Sequence, residues 1–175
     1  MRCGVFLDRD GVINRPAAGG YVRSWEEFEF LPGVLAALRE LHEAGWICVV
    51  VTNQSCVAKG ICSREALDAI HAKMIRAVEA GGGWIERVYY CPHGPEDECE
   101  CRKPKPGLIL RAASELGIDL KSSFVVGDSP RDIEAGARAG CRTILISADG
   151  KSERGGADSA ARDLRMAVET ILRKE

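Results

Sequence analysis

Short apolar runs alternate along the chain with segments in which apolar residues recur every three or four positions. The runs are rich in β-branched residues and lack polar alternation, which is typical of strands buried on both faces of a parallel sheet. We therefore predict strands at residues 3–7, 46–51, 85–90, 123–127 and 141–146. The segments between them have helical spacing, so the pattern predicts an α/β fold with an open, doubly wound parallel sheet.

Start and stop signals delimit the helical segments between the predicted strands. The predicted helices run from Pro32 to Gly45, from Ser63 to the glycines at 81–83, from Pro106 to Gly117, from Ser129 onward, and across Leu164, Val168, Ile171 and Leu172. In the fourth helix, Asp132 follows Ser129 by three residues, which is the spacing of a capping box. A Gly/Ser-rich linker precedes the last helix.

Composition and charge narrow the class of protein. The chain has 175 residues, of which 46% are hydrophobic and 29% charged, so we expect one domain over residues 1–175. The net charge is −2 and both signs are interspersed, which argues against nucleic-acid and membrane partners. No apolar run is long enough for a membrane span or a signal peptide, so we expect a cytoplasmic protein with reduced cysteines.

Polar residues follow four of the predicted strands. Asp8 and Asp10 follow the first strand, residues 52–55 (TNQS) the second, Lys103 the third and Asp128 the fourth. Because the carboxyl ends of parallel strands meet at one edge of a sheet, we expect these side chains to converge. Taken singly, each of these polar residues is also typical of a turn, a helix cap or a solvent-exposed surface. Together they supply the acids, hydroxyl, amides and lysine that phosphoryl transfer with Mg²⁺ requires.

The segment CPHGPEDECECRKP, residues 91–104, contains a second candidate site. Its potential zinc ligands are Cys91, His93, Cys99 and Cys101. Three thiolates and an imidazole at this spacing can close a tetrahedral shell around Zn²⁺ within one loop. The alternative is a pair of nearby thiols and a capping histidine. With every ligand supplied by the protein, we predict a structural zinc site that orders residues 91–103.

In chain order, DxDGVIN, TNQS, the lysine of RKP and GDSxxD resemble the four motifs of the haloacid dehalogenase (HAD) superfamily of phosphatases. The resemblance covers nearly the whole chain. It implies that Asp8 is a nucleophile that forms an aspartyl-phosphate, and that Asp10 is the general acid and base. It also implies a Mg²⁺ held by the carboxylates of Asp8 and Asp128 and by the backbone carbonyl of Asp10.

The same resemblance assigns roles to the remaining motif residues. Thr52 and the Asn53 amide would bind phosphate oxygens, while Lys103 would offset the remaining negative charge. Asp132 would orient Lys103 or cap its own helix. A general acid requires a raised pKa. For Asp10 a neighbouring carboxylate and the substrate phosphate favour such a shift, whereas nearby cations oppose it.

Together with the zinc loop, these motifs resemble the histidinol-phosphate and heptose-bisphosphate phosphatase group. GYV at 20–22, TNQSxxAxG at 52–60 and CRKPxPG at 101–107 favour the heptose branch. That branch removes the 7-phosphate of D-glycero-D-manno-heptose 1,7-bisphosphate, which implies a role in carbohydrate metabolism, with a product that feeds either lipopolysaccharide biosynthesis or a surface-layer glycan. The sugar-phosphate site would be lined by Gly20, Tyr21, Gln54, Ser55, Arg102 and Lys103. Histidinol-phosphate phosphatase and a non-catalytic, receiver-like phosphate module are the alternatives.

About forty residues separate Asp10 from Thr52, and one helix with its flap uses most of them, which leaves no room for a cap domain. We therefore expect a capless enzyme that grips a small sugar phosphate with residues 15–31, 53–62 and 91–103, and we expect a monomer. Cys56 departs from the family pattern, which usually has glycine at this position. Because glycine permits a left-handed turn that cysteine resists, the departure predicts a reshaped loop.

Overall fold

The computed structural model describes residues 2–150 and 156–173, and a parallel sheet forms its core. The six strands lie in the order β3-β2-β1-β4-β5-β6, and every neighbouring pair is parallel. The strands are β1 (Gly4–Leu7), β2 (Ile47–Asn53), β3 (Arg87–Cys91), β4 (Phe124–Gly127), β5 (Arg142–Ile146) and β6 (Ser159–Ala161). The helices are α1 (Val34–Glu43), α2 (Arg64–Ala80), α3 (Gly107–Leu116), α4 (Pro130–Ala139) and α5 (Leu164–Leu172).

The structure confirms the predicted α/β class and places a strand at each of the five predicted positions. It adds β6, which the sequence pattern assigned to a linker. β6 reads Ser-Ala-Ala, so it lacks the β-branched and aromatic residues that favour strands. It pairs with β5 at the edge of the sheet.

The predicted helix signals act at the expected positions. The hydroxyl of Ser63 accepts from the backbone N–H of Ala66 at 3.1 Å and caps α2. The Asp132 carboxylate accepts from the backbone N–H of Ser129 at 3.1 Å, as the capping-box spacing predicts. Gly117 ends α3 in the left-handed conformation, with φ 65°.

Helices cover both faces of the sheet. Val5 and Leu7 of β1 pack against α1, α2 and α5, whereas Phe6 faces α3 and α4. The strands are therefore buried on both faces, which explains their continuous apolar character. β1 lies between β2 and β4, where the strand order reverses, and this is the position at which such sheets bind ligands.

The two longest connections at the carboxyl edge of the sheet, from β1 to α1 and from β3 to α3, contain little helical structure. Between β1 and α1, the helical structure is a single 3-10 turn over Trp25–Glu27. Between β3 and α3 it is a 3-10 turn over Pro95–Asp97. Neither connection forms a cap domain, so this edge stays open. Among the helices of residues 2–150 and 156–173, none combines the length and hydrophobicity needed to cross a bilayer.

Candidate active site

Asp8 lies directly after β1, at the centre of the carboxyl edge of the sheet. Its backbone N–H donates to the carbonyl of Val126 at 3.0 Å. The side chain is 13% exposed, and its Oδ1 accepts from Lys103 Nζ at 2.9 Å. Burial raises the pKa of Asp8 to about 6, although the Lys103 ammonium opposes this shift. Asp8 is thus a buried carboxylate that a further cation would stabilise.

Asp8, Asp128 and Asp132 form what we name the carboxylate cluster. One oxygen from each residue lies within 4.8 Å of the other two. Asp128 is exposed, yet its partial desolvation at the sheet edge raises its pKa to about 7, and the carboxylates of Asp8 and Asp132 act in the same direction. Oxygen donors that carry excess negative charge are the ligands that Mg²⁺ prefers. The donors therefore fit the predicted ion.

Two glycines allow the carboxylates to approach the backbone. Gly11 has a φ of +87°, and a Cβ at this position would lie 1.9 Å from Asp128 Oδ2. A Cβ on Gly127 would lie 2.1 Å from the Cβ of Asp132. Any other residue at either position would displace a member of the carboxylate cluster.

Lys103 supplies the positive charge next to the carboxylate cluster. It is 3% exposed, and its ammonium donates to Asp8 Oδ1 at 2.9 Å and to the carbonyl of Val51 at 2.8 Å. It also forms an ion pair with Asp132 Oδ1 at 2.6 Å. Burial alone would lower the pKa of Lys103, but the carboxylates of Asp8 and Asp132 outweigh burial and raise it. Lys103 is therefore charged, and Asp132 both orients it and caps α4.

Four donor contacts hold the carboxylate of Asp10. Arg9 Nη2 donates to both oxygens at 3.1 Å, Asn14 Nδ2 to Oδ1 at 2.9 Å, and Gln54 Nε2 to Oδ2 at 2.8 Å. Burial by itself would raise the pKa of Asp10, but Arg9, Asn14 and Gln54 together lower it. In the protein without substrate, the nearby cation and amide donors therefore outweigh burial, and the pKa of Asp10 is lowered, not raised.

The residues that follow β2 divide into two groups. Thr52 lines the cavity, and its hydroxyl accepts from Gln54 Nε2 at 3.0 Å. The side chain of Asn53 is occupied, since it donates to and accepts from the main chain of Lys103 at 3.1 Å in both contacts. Gln54 is 1% exposed and lies behind the cavity wall. It holds Asp10 and Thr52 there, so the expectation that it lines the sugar site is wrong.

A cavity of about 500 Å³ opens above these groups. Of the residues predicted from sequence, its lining contains Asp8, Asp10, Gly20, Tyr21, Thr52, Asn53, Ser55, Arg102, Lys103 and Asp128. The hydroxyl groups of Tyr21 and Ser55 lie 2.9 Å apart and connect two of the predicted gripping loops. The cavity is therefore bounded by strand ends below and by loops at its mouth.

Sequence reasoning missed two cations that line this cavity, Lys59 and Arg131. Lys59 Nζ lies 5.3 Å from the centroid of the Tyr21 ring and lowers the pKa of the Tyr21 phenol. Arg131 lies in the first turn of α4, two residues beyond Ser129. Their proximity in sequence to TNQS and GDS was the available signal, because residues next to strand-end motifs share the same edge.

Cys91, His93, Cys99 and Cys101 converge in the connection after β3 and form what we name the thiol cluster. Neighbouring ligand atoms are 3.1–3.6 Å apart. Sulfur ligands about 2.3 Å from a tetrahedral ion lie about 3.8 Å from each other, so the arrangement fits Zn²⁺ with slight expansion. Arg102 Nη1 donates to the carbonyl of His93 at 3.1 Å, which connects the thiol cluster to the cavity.

Cys56 does not strain its loop. Glu98 is the one non-glycine residue of the described chain with positive φ, so Cys56 adopts ordinary backbone geometry. Its thiol is fully buried and lies 3.8 Å from both the carbonyl and the side-chain oxygen of Gln54. Because this position does not use the left-handed region, cysteine is accommodated in place of glycine.

Comparison with known proteins gives consistent matches. A family model described as HAD-hydrolase-like matches residues 100–172. A D-glycero-beta-D-manno-heptose-1,7-bisphosphate 7-phosphatase from Bordetella bronchiseptica is 44% identical over 142 residues, which cover 81% of this chain and 79% of the relative. The enzyme of the same name from Pseudomonas putida is 41% identical over 150 residues, which cover 86% and 85%.

A solved structure is similar over the full length. D,D-heptose 1,7-bisphosphate phosphatase from B. bronchiseptica, complexed with magnesium and phosphate, matches with a TM-score of 0.89 and 39% identity. The match covers 100% of both chains. At 39% identity, the similarity indicates a common family as well as a common fold.

Proposed function

Because this chain belongs to the HAD superfamily and, within it, to the D-glycero-D-manno-heptose-1,7-bisphosphate 7-phosphatases, we propose that it hydrolyses the 7-phosphate ester of that sugar. It is a phosphoric monoester hydrolase. The curated relatives are named for the β anomer, so we propose the β anomer as substrate. The observation that carries the proposal is the convergence of Asp8, Asp10, Thr52, Lys103 and Asp128 on one cavity.

In the first half of the reaction, a carboxylate oxygen of Asp8 attacks phosphorus, and the bond from phosphorus to the C7 oxygen breaks. Asp10 donates its proton to that departing oxygen, which leaves as the sugar hydroxyl. The approach of a phosphate dianion raises the pKa of Asp10 and so favours the acid form that this step needs. The product on the protein is an aspartyl-phosphate.

In the second half, water attacks phosphorus and the bond to Asp8 breaks. Asp10, now a carboxylate, accepts the proton of the attacking water. The low pKa of Asp10 in the protein without substrate suits this base form. Phosphate is released, and Asp8 returns as a carboxylate beside Lys103.

Asp8, Asp128 and the backbone carbonyl of Asp10 would hold Mg²⁺. When bound, Mg²⁺ neutralises the negative charge that otherwise keeps an anionic nucleophile away from an anionic phosphate. Lys103 contributes a fixed positive charge on the other side of Asp8, since its ammonium is held by three oxygen acceptors. The Thr52 hydroxyl and the Asn53 backbone amide would donate to the phosphate oxygens.

The substrate is small, and the cavity matches it in size and polarity. About 500 Å³ accommodates a heptose with its phosphates. Gly20, Tyr21, Ser55 and Arg102 also line the cavity and would contact the sugar and its second phosphate. Lys59 and Arg131 also line the cavity, and we propose that their positive charges contact the second phosphate.

The thiol cluster would bind Zn²⁺ through Cys91, His93, Cys99 and Cys101. All four ligand positions would be filled by the protein, which is typical of a structural site. Its effect on activity would pass through Arg102, whose guanidinium is anchored on the carbonyl of His93. Elemental analysis of purified protein, with one zinc per chain expected, tests this assignment.

We also propose one catalytic domain over residues 1–175, a cytoplasmic location and a monomeric state. The product would enter lipopolysaccharide biosynthesis. Size-exclusion chromatography with light scattering tests the oligomeric state, and fractionation of cells tests the location.

Mg²⁺-dependent phosphate release from a panel of esters tests the function. The panel contains both anomers of the heptose bisphosphate, histidinol phosphate, fructose 1,6-bisphosphate and an aryl phosphate. We expect the highest kcat/KM with the β anomer. Preferential turnover of histidinol phosphate would overturn the substrate, whereas no turnover of any ester would overturn the proposed chemistry.

A further inference from the structure

Arg9, between the two proposed catalytic aspartates, is completely buried. One end of its guanidinium, Nη2, contacts both oxygens of Asp10 at 3.1 Å. The other end, Nη1, lies 3.0 Å from Nε2 of His71. Burial of a guanidinium is costly unless its charge and its N–H groups have partners. Nε of Arg9 has no hydrogen-bond partner among the described residues, so the guanidinium is held through Nη1 and Nη2. These two contacts link His71 of α2 to Asp10.

His71 lies on the buried face of α2 and is not part of the cavity lining. It is 62 residues from Arg9 in sequence and is 5% exposed. Its ring packs on Tyr90, with centroids 5.5 Å apart. His71 thus contacts the proposed proton-transfer group only through Arg9.

We propose that His71 is a positioning residue for the reaction, which acts through the Arg9 guanidinium to hold the Asp10 carboxyl in the orientation that proton transfer needs. The inference rests on the proposed role of Asp10. It assigns a function to a buried side chain that touches neither substrate nor metal ligands.

The hydrogen-bond chemistry fixes the state of the imidazole. Arginine has only donors, so in this contact Nε2 of His71 must be the acceptor and carries no proton. The neutral ring then has its proton on Nδ1. Burial lowers the pKa of His71 to about 3, and the Arg9 charge acts in the same direction. His71 is therefore a neutral acceptor near neutral pH.

The geometry at Asp10 explains why an acceptor behind Arg9 matters. Asn14 and Gln54 each fix one oxygen of the carboxylate, whereas Arg9 contacts both and so determines the tilt of the plane. Without an acceptor at Nη1, the buried guanidinium would lose one of its two anchors and gain freedom to tilt relative to Asp10. His71 removes that freedom, because Nη1 is held while Nη2 faces Asp10.

The test uses two amides of different length at position 71. In His71→Gln, the side-chain oxygen reaches the position of Nε2, whereas in His71→Asn it stops one bond short. Both variants place a neutral, polar group at the same buried site, so they should fold alike. Asp10→Asn removes the proton-transfer group completely, and its effect on activity is the reference with which the effects of the two His71 variants are compared.

The readout is kcat/KM for an alkyl phosphate ester divided by kcat/KM for 4-nitrophenyl phosphate. An alkyl leaving group needs a proton from Asp10, whereas nitrophenolate leaves without one. General acid catalysis supplies about 10²- to 10⁴-fold. Because Asn14 and Gln54 remain, we expect His71→Asn to lower the ratio about tenfold, a fraction of that range, and His71→Gln to keep it near wild type.

Each other outcome overturns part of the proposal. If His71→Asn lowers both kcat/KM values equally, or if the Gln and Asn variants have the same ratio, His71 has only a structural role. If Asp10→Asn lowers the ratio and His71→Asn does not, this inference fails while the proposed function stands. If Asp10→Asn itself leaves the ratio unchanged, the proposed role of Asp10 fails and the inference fails with it.

Discussion

The carboxylate cluster and the thiol cluster are built in opposite ways. The sheet assembles the first from distant parts of the chain, and Lys103 meets Asp8 across 95 positions of sequence. The second is local, since Cys91 and Cys101 are only 10 positions apart. The fold thus supplies the geometry of the carboxylate cluster, whereas the sequence spacing supplies that of the thiol cluster.

The two clusters also differ in what holds them in place. Asp8 is fixed by a backbone hydrogen bond to β4 and by a buried ammonium. In the thiol cluster, only Cys91 belongs to a strand, and the loop includes Glu98 with positive φ. A site held by the fold would bind Mg²⁺ without rearrangement, whereas a loop of this kind would gain its order from the proposed Zn²⁺.

The largest expected effect is at Asp8. Asp8→Asn removes the proposed nucleophile, so kcat should fall by at least about 10⁴-fold, the order seen when a covalent catalyst is removed. Because the sheet and not Asp8 holds the site together, far-ultraviolet circular dichroism and the melting temperature should be retained. Phosphate release and a thermal melt check both statements.

A matched loss of charge at Glu134, an exposed side chain on α4, serves as the control. Glu134→Gln should leave kcat and the melting temperature unchanged. An Asp8→Asn protein with near-wild-type turnover would contradict the nucleophile assignment. An unfolded one would contradict the view that the fold holds the carboxylate cluster in place.

The next largest effect is expected at Lys103, and Lys105 in the same loop serves as its control. Lys103→Met leaves Asp8 and Asp132 buried without a counter-charge, which should lower the free energy of unfolding by about 3–5 kcal/mol and kcat by at least about 100-fold. The Lys105 side chain is 38% exposed and pairs with the exposed Glu100 at 2.7 Å, so Lys105→Met should change neither quantity. Urea unfolding and phosphate release at saturating substrate distinguish the two variants.

The thiol cluster should show a smaller and indirect effect. Cys99→Ser should abolish zinc binding and lower kcat/KM about tenfold, the lower end of the range for groups that support a site from outside. The loss should lie mainly in KM, because Arg102 loses its anchor while Asp8 and Lys103 keep their positions. Elemental analysis and steady-state kinetics measure both effects.

Cys3→Ser, which changes a thiol far from the cluster, should retain both zinc and KM. A Cys99→Ser enzyme that loses zinc and drops in kcat as strongly as Asp8→Asn would contradict the separation of the two clusters. It would mean that the loop orders the carboxylate cluster as well as the mouth of the cavity.

The contrast between the clusters also explains which site residues could be predicted from the sequence. The thiol cluster was predictable because all four ligands share one segment, and Asp8 and Asp128 were predictable because strand ends of a parallel sheet share an edge. The same reasoning found Lys103 and its partner Asp132. These predictions need only the topology and the order of motifs.

What sequence reasoning missed depends on side-chain direction. Gln54 follows a strand end as Thr52 does, yet it turns inward to Asp10, and no periodicity predicts that turn. His71 has the spacing of a core residue on α2, and its contact with Arg9 exists only in three dimensions. The lowered pKa of Asp10 follows from the side-chain directions of Arg9, Asn14 and Gln54, which the sequence pattern does not predict either.

The smallest expected effect is a loss of folding stability at acid pH. It tests whether His71, which contacts Asp10 through Arg9, is neutral in the folded protein. The pKa of His71 is about 3 in the folded protein, below its ordinary value of 6.5. A base with a lowered pKa stabilises the fold above pH 6.5, and that stability is lost as the pH falls toward 3. Between pH 7.5 and 5.5, wild type should lose about 1 kcal/mol through His71, and His71→Gln should not.

The comparison of the two proteins isolates His71 from the other titrating groups. The raised pKa values of Asp8 and Asp128 act with the opposite sign, because the folded protein binds their protons more tightly and gains stability on acidification. Those contributions are common to wild type and His71→Gln, so they cancel in the difference between two urea titrations. An equal pH dependence in both proteins would mean that His71 accepts a proton in the folded state. In that case it could not be the neutral acceptor that holds Arg9 against Asp10.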